Sequence, residues 1–272
     1  MVMHPVHQPD PENPAGKRLI ELLADDRGSQ ALFLDVDGTL LDIVTGEADA
    51  PVPDGMPALL AGLATYLGGA LALVSGREIA DIDQAFAPIS TACAGSYGAQ
   101  MRFESGGQVS QADDVRLPDP LRAQLISLAH KAGRIVEDKP HSVAIHFRDH
   151  PDADDTLRLQ IETILDAAAS VGPRPELIYG QGIYEIKPSG CSKGSALDRM
   201  MQTEVFSGRC PIMIGDDSSD EVAIDRAIVW GGTAFSVGQP LAGCSGVFDS
   251  PQQLRQSLEV VLAGAVSRLM DS

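Results

Sequence analysis

The apolar residues of this chain fall into short unbroken runs, separated by stretches in which they recur at helical spacing. Ala31-Leu32-Phe33-Leu34, Ala70-Leu71-Ala72-Leu73-Val74, Thr91 to Gly95 and Cys210-Pro211-Ile212-Met213-Ile214 read as strands buried on both faces. Helices are predicted from Arg18 to Asp25, Pro57 to Leu67, after Glu78 to about Phe86, from Lys193 to Met201 and from about Ser219. A short strand and a helix close the chain between Phe248 and Leu262. Strands that alternate with helices predict parallel βαβ units with right-handed crossovers.

The rhythm changes in the middle. Gly98 to Gln111 reads as a hairpin turning at Ser105-Gly106-Gly107. Two helices are expected, from Pro118 to Lys131 and from Pro151 to Ser170. Four short strands are expected at Arg134–Glu137, Ser142–Arg148, Glu176–Tyr179 and Gly182–Lys187. The predicted fold is therefore α/β: a Rossmann-like parallel-sheet core, residues 17–112 and 190–272, with an α+β cap domain inserted at 113–189. Residues 1–16 read as a disordered N-terminal tail, rich in Pro, His and acids.

Charge narrows the partners. The net charge is −18 over 272 residues, which argues against nucleic acid and anionic membranes. No apolar run approaches the ~18 residues of a membrane span. The N-terminus lacks the basic-then-apolar pattern of a signal peptide. Four scattered cysteines, without a C-x-x-C pair, suit a reduced cytoplasmic protein. A phosphate-bearing ligand would be repelled at long range, so a site for one must gather cations, backbone N–H groups or a metal locally.

Candidate chemistry sits at the ends of the core strands. Asp35-Val36-Asp37-Gly38-Thr39-Leu40 puts two carboxylates at a strand's C-terminal mouth, where open α/β sheets bind ligands. Such a pair suits a divalent cation, or a nucleophile beside a general acid, and an Asp-Gly turn is the plainer alternative. Ser75-Gly76-Arg77-Glu78 follows the second strand; Ser75 and Glu78 have capping-box spacing, and a helix N-terminus also suits a phosphate. Lys193 opens a helix and offers a cation, unless it is a surface lysine. Gly215-Asp216-Asp217-Ser218-Ser219-Asp220-Glu221 is a second acidic cluster at a strand end. A capping box of Ser218 with Glu221 accounts for the later acids but not for Asp216 and Asp217.

Together these motifs resemble the haloacid-dehalogenase superfamily of phosphohydrolases, of the type with a larger cap between the second and third motifs. The resemblance implies Asp35 as nucleophile and Asp37 as general acid and base. Ser75 and Lys193 would stabilise the transferring phosphoryl group. Mg²⁺ would be held by Asp35, Asp37 through its carbonyl, and Asp216, with Asp220 positioning Lys193 or a metal water. A narrower likeness comes from Glu137-x-Lys139, His146-Phe147-Arg148, Tyr184-Glu185-Ile186-Lys187-Pro188 and Ser192-Lys193-Gly194. These segments resemble trehalose-6-phosphate phosphatases over about Leu32 to Leu262. That implies a sugar-phosphate substrate bound by Gly76, Arg77, Glu137, Lys139, Arg148 and Glu185, with His146 and Lys187 as weaker contacts. The cap would close over the sugar. Gly95-Ser96-Tyr97-Gly98 and Ser218-Ser219 depart from the family pattern and leave the lining near Tyr97 open. Another sugar phosphate as substrate, or a non-catalytic sugar-phosphate sensor, are the alternatives.

Overall fold

A computed structural model describes residues 13–25, 28–43, 51–111, 116–147, 154–180 and 182–270. The chain divides into two compact units, Met1–Val109 with Lys193–Ser272, and Ser110–Ser192.

The first unit is built on a central sheet. Its strands are β1 (Gln30–Leu34), β2 (Leu71–Val74), β3 (Ala92–Gly95), β4 (Gln100–Arg102), β10 (Cys210–Gly215), β11 (Thr233–Val237) and β12 (Val247–Phe248). The sheet order is β12-β11-β10-β1-β2-β3-β4, continuing to β5 (Ser110–Gln111) where the chain leaves the unit. Pairing is parallel from β12 to β3, and β4 runs antiparallel to β3. Strands β1, β2 and β10 are almost wholly inaccessible, which is why they read as continuous apolar runs. The flanking helices are α1 (Pro14–Asp25), α2 (Met56–Tyr66), α3 (Ile79–Ala85), α6 (Lys193–Met201), α7 (Ser218–Val229) and α8 (Pro251–Met270). One core runs through the unit, from Leu19 and Leu23 through Phe33, Leu60 and Phe206 to Phe235 and Leu258.

The second unit has its own sheet and core. Strands β6 (Val136–Asp138), β7 (Val143–His146), β9 (Ile183–Lys187) and β8 (Glu176–Gly180) pair antiparallel in that order. Helices α4 (Asp119–Lys131) and α5 (Asp154–Ala168) pack with it through Leu121, Leu125, Leu157 and Ile161 against Val143, Ile145, Tyr184 and Ile186.

Several expectations are corrected. Helix α1 starts at Pro14, so residues 14–16 belong to a helix rather than a tail. Asn13 Oδ1 accepts from the Ala15 N–H at 2.8 Å, and Pro14 supplies a pre-set φ at the first turn. The rest of the expected tail, residues 1–12, lies outside the described residues. Strand β11, Thr233–Val237, was not anticipated, because alternating small and polar residues dilute its apolar signal although it is mostly buried. Both expected capping boxes shift. Helix α3 begins at Ile79 with Glu78 as N-cap and no side-chain cap; instead Gln100 on β4 accepts from the Ile79 N–H at 2.8 Å. Helix α7 is capped by Asp217 with Asp220 as its reciprocal partner, one residue earlier than Ser218 with Glu221.

Candidate active site

The parallel register of β1 and β10 decides the geometry. Leu34 lies opposite Ile214, and the Asp35 N–H donates to the Ile214 carbonyl at 3.0 Å. Adjacent strands thus deliver Asp35 and Asp216 to one sheet edge, as the two acidic motifs predicted. Gly38 turns the chain just after Asp37, against Asp216. Its φ is +83°, and a Cβ there would lie 2.1 Å from Asp216 Oδ2, so both backbone conformation and space demand glycine.

Lys193 is buried between two carboxylates. Its Nζ donates to Asp35 Oδ1 and to Asp220 Oδ1, each at 2.7 Å, with all three side chains at most 4% exposed. The surface-lysine alternative is thereby excluded. Asp220 is fully engaged, since its Oδ2 accepts from the N–H groups of Asp216 and Asp217 at 3.2 and 3.3 Å. That arrangement suits a group that orients Lys193 and closes the start of α7. Asp216 is held more loosely, by the Thr39 hydroxyl at 3.4 Å, while Gln239 Nε2 donates to its carbonyl at 2.9 Å. Neither Thr39 nor Gln239 was singled out from the sequence; Thr39 lies inside the first motif, and Gln239 carries no sequence signal.

Electrostatics follow from crowding. Burial raises the Asp35 carboxyl above its ordinary range, against the pull of Lys193. Asp216 is pushed up to about 9 by burial and by the charges of Asp35, Asp217 and Asp220. Asp220 rises to about 7, again mainly through burial, with Lys193 opposing. Lys193 is raised despite its burial, because Asp220 and Asp35 surround it. Oxygens of Asp35, Asp216 and Asp220 lie within 4.8 Å of one another, and their mutual repulsion is of the kind a cation relieves. The donor set therefore fits a hard divalent ion, which takes carboxylate and carbonyl oxygens.

Asp37 is placed differently. It is 45% exposed, and Arg77 grips both of its oxygens, Nε to Oδ2 at 2.7 Å and Nη2 to Oδ1 at 2.6 Å. Its carboxylate is not one of the clustered oxygens of Asp35, Asp216 and Asp220. Arg77, expected among the substrate contacts, lies on Asp37. Ser75 is buried, and its Oγ accepts from the Arg77 N–H at 3.1 Å.

The remaining candidates gather in the second unit. Register aligns Glu137, Ala144, Glu185 and Ile178 across the sheet. On that face Lys139 Nζ lies 3.4 Å from Glu137 and 3.5 Å from Glu185. Glu137 also accepts from His146 Nε2 at 2.7 Å, and Glu185 accepts from the Ser142 hydroxyl at 2.6 Å. Glu185 is buried, whereas Glu137 on the same face is half-exposed. The His146 bond and Lys139 hold the Glu137 carboxyl down to about 2, against partial burial. Lys139 is raised by Glu185 and Glu137 although burial opposes it. Lys187 is not in this group: it is buried, and it pairs with Glu176 and the Cys191 carbonyl. Arg148 lies outside the described residues.

The fold of the molecule is that of a haloacid-dehalogenase-type hydrolase. A B. subtilis haloacid dehalogenase-like hydrolase superposes with a TM-score of 0.61 at 14% identity, covering 85% of this chain and 99% of that one. The C-terminal domain of a C. albicans trehalose-6-phosphate phosphatase superposes with a TM-score of 0.80 at 17% identity, covering 92% and 97%. Sequence goes further than fold. The trehalose-phosphatase family model matches residues 33–227. The chain is 36% identical over 228 residues to a Sinorhizobium fredii protein named "Probable trehalose-phosphate phosphatase", spanning 83% of this chain and 84% of that protein. It is 34% identical to the trehalose-6-phosphate phosphatase of Escherichia coli, over 76% and 77% of the two chains. The chain belongs to the trehalose-phosphatase family.

Proposed function

We propose that this chain hydrolyses trehalose 6-phosphate to trehalose and phosphate through an aspartyl-phosphate intermediate. The observation that carries the chemistry is the buried Asp35–Lys193–Asp220 chain at the end of β1, beside Asp216. Asp35 is held by Lys193 with one oxygen, which leaves its other oxygen as the attacking atom. Asp37 protonates the departing sugar oxygen, then takes a proton from the water that cleaves the phosphoaspartate. Lys193 and the Ser75 hydroxyl stabilise the transferring group. Asp35, Asp216 and the Asp37 carbonyl would hold Mg²⁺, with Asp220 behind them on Lys193; when bound, the ion supplies charge neutralisation at the phosphoryl oxygens. Lys193 would then not have to answer the full phosphate charge alone.

Substrate choice is assigned to the second unit. Glu137, Lys139, His146 and Glu185 form one polar cluster with carboxylates and a cation alternating, the pattern that sugar hydroxyls match as both donors and acceptors. Arg148 joins them in this proposal. Lys187, tied to Glu176, is withdrawn from the sugar contacts and assigned to holding β8 to β9. The family membership and the two curated relatives support trehalose 6-phosphate as the sugar phosphate. The test is phosphate release, in the presence of Mg²⁺, from trehalose 6-phosphate, sucrose 6-phosphate and glucose 6-phosphate. A strong preference for the first is expected; equal rates on all three would sink the assignment.

A further inference from the structure

The second motif and the loop that departs from the family pattern are tied together. Ser96 and Tyr97 both adopt left-handed backbone conformations, with φ of 48° and 57°. This turn bonds to the Ser75–Arg77 loop twice, Ser96 N–H to the Arg77 carbonyl at 2.7 Å and Tyr97 N–H to the Ser75 carbonyl at 3.0 Å. The Tyr97 ring lies directly on Gly76, where a Cβ would meet its Cζ and hydroxyl at 2.7 Å. The loop therefore has its backbone fixed from one side, and Arg77 projects from it onto both oxygens of Asp37. The guanidinium fork sets the plane and rotamer of the carboxylate, which the single point charge of a lysine does not do.

We propose that Arg77 is a positioning residue for the reaction: braced by the Ser96–Tyr97 turn, it aims the Asp37 carboxyl at the leaving oxygen and does not bind the sugar. The proposal rests on Asp37 as acid and base. Both Asp37 oxygens are engaged by Arg77, so one of them has to be handed from the guanidinium to the leaving oxygen during the acid step. The transferred proton travels from Asp37 to the sugar oxygen as the P–O bond breaks, and Arg77 gains and loses no proton.

The test uses the full chain with Mg²⁺ and trehalose 6-phosphate, comparing Arg77→Lys, Asp37→Asn and the double variant. A positioned general acid contributes about 10²-fold or more, so Arg77→Lys is expected to lower kcat by about 10²-fold with KM little changed. In the Asp37→Asn background the same substitution is expected to cost less than about threefold, because its target is gone. In the first step alone, read as the pre-steady-state burst of leaving-group release, p-nitrophenyl phosphate, whose leaving group needs no proton, is expected to suffer far less from Arg77→Lys than the sugar phosphate. The ratio between the two substrates is independent of the fraction of protein folded. A raised KM at unchanged kcat, additive losses in the double variant, or equal losses of the first step on both substrates would each overturn the role for Arg77. Full activity of Asp37→Asn would instead remove Asp37 as the acid and leave no ground for the proposal.

Discussion

The two charged clusters of this protein are held in opposite ways. Around Lys193 the side chains of Asp35 and Asp220 are at most 4% exposed, and charge is matched at fixed short distances. Around Lys139 the side chain of Glu137 is 47% exposed, Lys139 itself 28%, and the ion-pair distances are longer. A buried charge must be answered by a fixed partner, because water is not there to do it. A half-exposed charge can exchange its water for another hydroxyl at little cost. The first arrangement suits one reaction performed in one geometry, and the second suits recognition of a polyhydroxylated ligand. The division between generic chemistry and ligand choice follows from solvent access as much as from residue type.

The sharpest way to break that contrast is at Asp35. Asp35→Asn is expected to reduce phosphate release from trehalose 6-phosphate by about 10⁴-fold or more, the scale of losing a nucleophile. The fold should survive, since a neutral amide of the same shape escapes the desolvation that raises the Asp35 carboxyl. Thermal melting beside the phosphate assay checks both halves. Next comes Lys193→Met. Removing one partner of a buried ion pair costs about 3–5 kcal/mol, here with two carboxylates left facing each other. Denaturant unfolding should show that loss together with inactivity, and a stable Lys193→Met protein would mean the buried cluster is not charge-locked. If the clustered Asp35, Asp216 and Asp220 oxygens hold Mg²⁺ as proposed, chelation with EDTA is expected to abolish turnover and added Mg²⁺ to restore it.

The second cluster should respond in KM rather than kcat. Glu185 accepts from Ser142 and lies beside Lys139, so Glu185→Gln keeps the shape but disturbs both partners. An increase in KM for trehalose 6-phosphate of about tenfold, with kcat within about threefold, is the expected pattern for lost uniform binding. A fall in kcat alone would place Glu185 in the chemistry and erase the contrast between the two regions.

The sequence was most legible where local pattern and final position coincide. Continuous apolar runs marked β1, β2 and β10 because both faces of those strands are covered. Asp35 and Asp216 were legible because each directly follows such a run. Adjacency of β1 and β10 did the rest. Illegible features depend on partners distant in sequence. Gln100 caps α3 from another strand, and Arg102 reaches Asp83 and the Thr91 carbonyl across the β3–β4 edge. The resemblance put Arg77 among the substrate contacts, beside the Ser75 that would meet the phosphoryl group. The Arg77–Asp37 contact sits beside the turn at Ser96 and Tyr97, and two left-handed non-glycine residues leave no mark in a pattern of polarity.

The smallest expected effect concerns the outer edge of the second cluster. The hydrogen bond from His146, helped by Lys139, depresses the Glu137 carboxyl from 4.5 to about 2. A folded-state value below the unfolded one means that the ionised group stabilises the fold. That contribution is complete above about pH 4.5 and disappears as the pH falls towards 2. Because Glu137 is nearly half-exposed, solvent screening reduces it to about a few tenths of a kcal/mol. Denaturant unfolding of the native chain and of Glu137→Gln, followed from pH 6 to pH 3, should show their difference shrinking with acid. His146→Ala removes the largest contributor and should flatten the native curve towards that of Glu137→Gln. A difference that stays constant with pH would mean that the Glu137–His146 bond is not formed in solution. A difference of several kcal/mol would mean that this edge is as tightly held as the Lys193 cluster. In that case the cluster would be a fixed structural element rather than a surface prepared to trade water for sugar.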